Sequence, residues 1–192
     1  MGRYVTNAIS EQDYEKLVKT VRKGYTDNAG VVHKPNNQIA TILVLEANLG
    51  CRIGDIMNLT TDSFLKDGNI WKLNISEEKT GKTRYFIIPA PVKKFIDKWI
   101  KDNNIETGNL FSIKKPAVWK QLRAVTDYLG IDNCSTHSLR KKCATDIYEK
   151  SGHDIEAVCT FLQHSDTKIT RAYLRRSDSV LEKAISQAVS II

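Results

Sequence analysis

The chain has 192 residues, enough for one domain, or one domain with a small appendage, to bury a core without disulfide staples. Its four cysteines, Cys51, Cys134, Cys143 and Cys159, form no Cys-x-x-Cys pair, and no run approaches the roughly 18 apolar residues of a membrane span; zinc, a redox couple and a membrane helix are therefore not suggested, and a cytoplasmic protein is expected. Twenty-nine Lys and Arg against 22 Asp and Glu leave a net charge of +7, which favours a polyanionic partner.

Ser10 followed by Glu11 and Asp13 reads as a helix cap, with Tyr14, Leu17, Val18 and Val21 as the apolar stripe of a helix over 11–23. After a polar loop, 37–49 is apolar almost all round, which predicts a buried central helix stopped by Gly50. A short helix over 51–59 follows. Trp71, Leu73 and Ile75 alternate, Asp67-Gly68 is a turn signal and 84–88 is rich in strand formers, so a small antiparallel sheet is expected over 63–88, its last hairpin carrying Lys79-Thr-Gly-Lys82 at the tip. From Pro91 the pattern is helical over 91–103, 116–129, 136–151, 154–163 and 167–174, with a last apolar helix over 178–191. The class is α+β, mainly α, and the sequence shows no internal boundary before that tail.

The basic residues are clustered. Lys114, Lys115, Lys120 and Arg123 fall together, as do Arg140, Lys141 and Lys142, and then Lys168, Arg171, Arg175 and Arg176. Such clusters supply salt-sensitive contacts to nucleic-acid phosphates, and Lys114, Lys115, Lys120, Arg123, Lys141, Lys142 and Arg171 are the candidates for that role. Arg52 and Asp55 are three apart, as are His137 and Arg140, so each pair shares a helix face. Arginine suits a phosphate because its planar fork makes two parallel hydrogen bonds and its charge is never lost. Taken alone, Arg52 with Asp55 reads more simply as a structural ion pair, and His-x-x-Arg is common by chance.

The long-range order is sharper. Arg52 stands in GCRIGDIMNL, Lys79 in EEKTGK, His137 and Arg140 in THSLRKKCAT, His164 in LQHSDTKIT, and Tyr173 follows His164 by nine residues. In this order and spacing, from about Ile9 to Arg175, the chain resembles the tyrosine recombinases of the phage-integrase type. The resemblance implies that family's catalytic fold, a helical bundle with a small antiparallel sheet. It also implies site-specific cleavage and rejoining of double-stranded DNA through a 3′-phosphotyrosyl intermediate. By the same resemblance Tyr173 is the nucleophile, Arg52 and Arg140 clamp the scissile phosphate, and His137 and His164 bind it or handle the proton. Lys79 protonates the departing 5′ oxygen, with Lys82 as the alternative acid, and Asp55 supports the cluster from behind. Neither a metal nor a cofactor is expected, since cations from Arg and Lys fill the metal's role.

Two positions depart from the family pattern: Gln163 stands where glycine usually precedes the histidine, and Gly54 replaces a frequent serine. The resemblance also implies assembly on DNA as a tetramer exchanging C-terminal tails, with residues 1–177 as the catalytic domain and 178–192 as the tail. The family's usual N-terminal core-binding domain is expected to be absent from this chain. The rival expectations are a type IB topoisomerase and a catalytically silent DNA-binding protein on the same fold.

Overall fold

In a computed structural model, which describes residues 6–174, helix α1 runs over Glu11–Lys23, and Ser10 Oγ accepts the Asp13 N–H at 3.1 Å to cap it. Its buried stripe is Leu17, Val18 and Val21. Gly24 ends the helix at φ +74°, where its N–H donates to the Thr20 carbonyl. A Cβ there would stand 2.6 Å from the His33 carbonyl oxygen and 2.9 Å from Pro35, so only glycine fits.

A two-stranded hairpin that sequence patterning missed comes next, β1 (Tyr25–Thr26) and β2 (Val32–His33). Two-residue strands carry too little alternation to be read. Side-chain chemistry holds the turn: Asp27 Oδ1 accepts the N–H groups of Ala29 and Val31, and Tyr25 stacks between His33 and Tyr128 at ring separations of 4.3 and 4.5 Å.

Helix α2 (Asn37–Leu49) is the buried centre expected of it, started by Asn36 Oδ1 on the Ile39 N–H and stopped by Gly50 in the left-handed conformation. It packs against α1, α3 (Ile53–Met57) and α4 (Ala90–Asp102). A 3₁₀ turn over Thr61–Ser63 leads into the antiparallel sheet β3 (Phe64–Asp67), β4 (Ile70–Ser76) and β5 (Thr83–Ile88). Leu73 pairs with Phe64 on one side and Phe86 on the other, a register that turns Leu73, Arg84 and Ile88 into the core. α5 (Lys115–Leu129) carries Pro116 in its first turn, where a missing N–H costs nothing, and ends at left-handed Gly130.

The remaining helices are α6 (Thr136–Lys150), α7 (Ile155–Leu162) and α8 (Thr167–Tyr173). The chain divides into two compact units, one through Asp146 and one from Ile147, so the division falls inside α6. Sequence offers no warning of this, because the helical pattern runs unbroken through it. The first unit holds a continuous apolar core that includes Leu17, Ile42, Leu45, Ile56, Leu73, Ile96, Val118 and Leu139. In the second, α7 and α8 pack on each other. Among the described residues no helix is long and apolar enough to cross a membrane. The helix expected over 178–191 lies outside the described residues.

Candidate active site

Arg52 is delivered by the end of α2. Gly50 turns the chain in the left-handed region, Cys51 is buried behind it, and Arg52 occupies the N-cap of α3 with a half-exposed side chain. Its guanidinium meets the Glu77 carboxylate at the end of β4. Burial alone would push the Glu77 carboxyl up, but hydrogen bonds from Thr80 and Arg52 and the charges of Arg52 and Arg84 outweigh it and hold the group below its usual range.

Lys79 and Lys82 are both exposed on the β4–β5 loop. Three ties bring that loop to the helices. Asp55 Oδ1 accepts the Glu78 N–H at 2.9 Å, Lys115 at the start of α5 pairs with Glu78 at 2.5 Å, and Arg52 holds Glu77. Asp55 thus pins the loop's backbone; its Oδ2 is buried with no hydrogen-bond partner among the described residues. The glycine at position 54 has a reason as well. A Cβ there would come within 2.2 Å of Glu78 Oε2 and 2.8 Å of Lys115 Nζ, so any side chain at 54 would disturb the ion pair that anchors the loop.

His137 and Arg140 sit one turn apart at the start of α6, a turn held by Ser138 Oγ accepting the Ser135 N–H at 3.0 Å. Arg140 is 2% exposed, whereas His137 lies open at the rim. The His137 imidazole is nevertheless pushed below its usual pKa, first by desolvation among neighbouring atoms and then by the charges of Arg140, Arg52, Lys141 and Lys79. The first unit therefore brings four of the expected site residues together, with Lys141 added: Arg52, Lys79, Arg140 and Lys141 form one electropositive cluster around the His137 imidazole. Such a cluster is preorganised for an anion. Beneath it lies Glu46 of α2, 1% exposed, its carboxyl pushed well above the ordinary range by burial against the weaker opposing pull of Arg140. Sequence pattern missed Glu46 and Glu77; an acid in a helix that is apolar almost all round was the available signal for the first, and nothing marked the second.

In the second unit, Asp154 caps α7, and Gln163 ends it at φ +54°, a left-handed position that explains why glycine is common there. This turn presents His164, whose Nδ1 lies 3.0 Å from the Oγ1 of buried Thr170 and whose carbonyl accepts from Cys159 Sγ. Asp166 caps α8, and Tyr173 is its last residue. Thr170, three residues before Tyr173, orients His164 and has no signature in sequence.

The phosphate-contact candidates divide. Lys114, Lys120, Arg123 and Arg171 are exposed. Lys115 is engaged by Glu78, and Lys141 donates to the Thr6 carbonyl. Lys142 is buried: its ammonium pairs with Glu11 at 2.7 Å and Asp146 at 2.6 Å and lies over the Tyr14 ring, a structural tie between α1 and α6 that leaves it turned away from solvent phosphate.

Comparison with known proteins places these features. The sequence model of the Phage integrase family matches residues 7–179. A probable integrase/recombinase, YoeC of Bacillus subtilis (strain 168), is 27% identical over 140 residues, spanning 69% of this chain and 75% of that protein. Among solved structures, XerA recombinase superposes with a TM-score of 0.71 at 19% identity, covering 100% of this chain and 67% of that one. The catalytic domain of bacteriophage HP1 integrase gives 0.64 at 19% identity and covers 96% of each chain. XerH site-specific recombinase, bound to its palindromic difH substrate after cleavage, gives 0.69 at 18% identity; this chain spans 52% of its length.

Proposed function

We propose a mechanism from one premise: the chain belongs to the phage integrase family. It is a tyrosine recombinase catalytic domain, and its activity is the cutting and rejoining of duplex DNA. The observation that carries the reading is the gathering of Arg140, Arg52, Lys141 and Lys79 about the His137 imidazole, which burial and their charges push below its usual pKa. A scissile phosphate supplies the negative charge that this cluster lacks.

The Tyr173 oxygen attacks phosphorus, a P–O bond to the tyrosine forms, and the bond from phosphorus to the 5′ oxygen breaks. The product is a 3′-phosphotyrosyl enzyme and a free 5′-hydroxyl strand. Arg52 and Arg140 stabilise the charge gathering on the non-bridging oxygens. A phenol, whose unperturbed pKa is about 10, is a poor nucleophile at neutral pH and needs a proton acceptor and cationic neighbours. His137, its pKa pushed down by burial and by the surrounding cations, accepts that proton, and His164, oriented by Thr170, hydrogen-bonds the phosphate. Lys79 protonates the departing 5′ oxygen. That the residues of the second unit act on the same phosphate as those of the first rests on the order and spacing of the motifs. Rejoining is the same path reversed, with a 5′-hydroxyl as nucleophile.

Residues 1–177 constitute the catalytic domain. Lys114, Lys120, Arg123 and Arg171 hold the duplex backbone, the protein acts at the nucleoid within the cytoplasm, and it works as a tetramer on DNA with tails 178–192 exchanged between protomers. A nicked duplex, which loses its 5′ fragment after cleavage and so traps the adduct, tests the reading. The wild-type protein is expected to form a denaturant-resistant covalent complex. Tyr173→Phe should form none while binding the same duplex within about twofold. A Tyr173→Phe protein that still became crosslinked would overturn the assignment.

A further inference from the structure

The Glu77 carboxylate has three side-chain partners, Arg52, Thr80 and Arg84, and the proposed reaction gives it no part. Its side chain is 1% exposed. Oε2 accepts both from Arg52 Nη1 and from Thr80 Oγ1, the latter at 2.6 Å, while Oε1 faces Nη1 of the fully buried Arg84 at 3.4 Å. Arg84 is in turn seated on the Phe86 ring at 5.1 Å. Backbone bonds close the loop over the same residue: the Glu77 N–H donates to the Lys82 carbonyl at 2.9 Å, and the Gly81 N–H to the Glu77 carbonyl at 2.8 Å. Lys79 lies between Glu77 and Thr80 and moves with them.

We propose that Glu77 is a positioning residue that sets the phosphate clamp and the acid-bearing loop in register, through one carboxylate oxygen shared by Arg52 and Thr80. This rests on the functional reading above and extends it to a residue outside the expected set. The physical reason lies in what each partner lacks alone. Arg52 stands at the N-cap of a five-residue helix with its side chain 26% exposed, so that long side chain would wander unless one edge of the guanidinium were held. Lys79 sits on an exposed loop, whose position would drift unless its backbone were tied. A buried carboxylate is costly to desolvate and is tolerated only where cations and donors satisfy it; here Arg84 supplies a permanent second charge from the core, so Glu77 stays ionised while Arg52 is shared with substrate. Two of the four cations around His137, Arg52 and Lys79, are then kept together before DNA arrives.

Two variants separate the arms of this device, read by single-turnover adduct formation on a nicked duplex carrying either the natural 5′ oxygen or sulfur at the bridging position. An alkoxide must be protonated to leave, whereas a thiolate, from a thiol of pKa about 8.5, leaves unaided, so sulfur bypasses the acid. Thr80→Val cuts the tie from Glu77 to the loop, and with it the loop's own bond from the Lys82 N–H to Thr80 Oγ1, but leaves the hold on Arg52. It should lose about 10-fold on oxygen, a fraction of a full acid's contribution, and return to within about twofold of wild type on sulfur. Glu77→Gln keeps the shape but removes the charge that holds Arg52. It should lose about 10²-fold on oxygen and remain at least about 10-fold slow on sulfur, because Arg52 addresses a non-bridging oxygen. Both variants are expected to bind duplex like wild type, and a Glu77→Gln protein that failed to bind or fold would leave Thr80→Val to decide. Equal losses for Thr80→Val on the two substrates, or wild-type rates for either variant on oxygen, would overturn the proposal. Absence of any adduct from the wild-type protein would overturn the recombinase reading itself, and this inference with it; an active wild type with unaffected variants would overturn this inference alone.

Discussion

Glu46 is a carboxylic acid in the last turn of the buried central helix α2, 1% exposed, with Oε2 lacking a hydrogen-bond partner among the described residues. Burial pushes its pKa well above the ordinary range, and the Arg140 charge offsets only part of that. In the unfolded chain the same group titrates near 4.3. Between those two values the folded protein holds a proton that the unfolded chain has released. Unfolding free energy therefore falls as pH rises, by about 1.4 kcal/mol per pH unit for one proton. The contribution is fully present below about pH 4.3 and is lost on the way up to the folded pKa. Glu46→Gln keeps the volume and removes the titration. The difference in stability between variant and wild type should thus move in the variant's favour by about 1.4 kcal/mol per unit from roughly pH 4.5 upward, and level off once the folded carboxyl ionises. Urea denaturation followed by circular dichroism in half-unit pH steps to pH 8 measures this, because every other titrating group cancels in the difference. Parallel curves, or a difference drifting toward the wild type as pH rises, would refute the reasoning; the latter would mean that Glu46 is ionised and paired with Arg140.

Lys79→Ala should lose about 10²- to 10⁴-fold in cleavage on ordinary DNA and recover most of it with a bridging sulfur, whereas Arg52→Ala should not recover; selective rescue of Lys82→Ala instead would move the acid three residues along. Gly24→Ala places a methyl 2.6 Å from the His33 carbonyl at a backbone angle of φ +74°, and should destabilise by more than the ~1–3 kcal/mol of backbone strain alone. Gly130→Ala, at φ +67° with nothing within 4 Å of the new atom, should cost only about 1–2 kcal/mol, and equal melting temperatures for the two variants would contradict the steric argument.

Sequence legibility followed the physics of each element. Helices α1 and α2 were readable because a capping Ser or Asn, an apolar face and a terminal glycine all agree. The sheet was readable from alternation and a turn dipeptide. Asp154 and Gln163 fell inside an expected 154–163 helix but serve as its caps, because a capping side chain or a left-handed residue leaves no trace in apolar periodicity. The site was legible only where resemblance reached. In the first unit the charges of Arg52, Lys79 and Arg140 all bear on His137. Clustered charge was a poorer guide: Lys142 sits in a basic run, yet it is consumed by Glu11 and Asp146, one remote in sequence and one a helical turn away. Glu77 and Thr170 act through partners that only folding brings near, so no local pattern could single them out.

The proposed reaction turns on Tyr173 as the residue that attacks the scissile phosphate. Its most direct measurement is to trap the protein on a nicked duplex, digest both components, and identify the modified peptide and the DNA end by mass spectrometry. The account predicts a nucleotide joined through its 3′ phosphate to the peptide containing Tyr173, with a free 5′-hydroxyl on the released strand. Linkage to a different residue, a 5′-phosphotyrosyl bond, or cleavage with no covalent protein would contradict it.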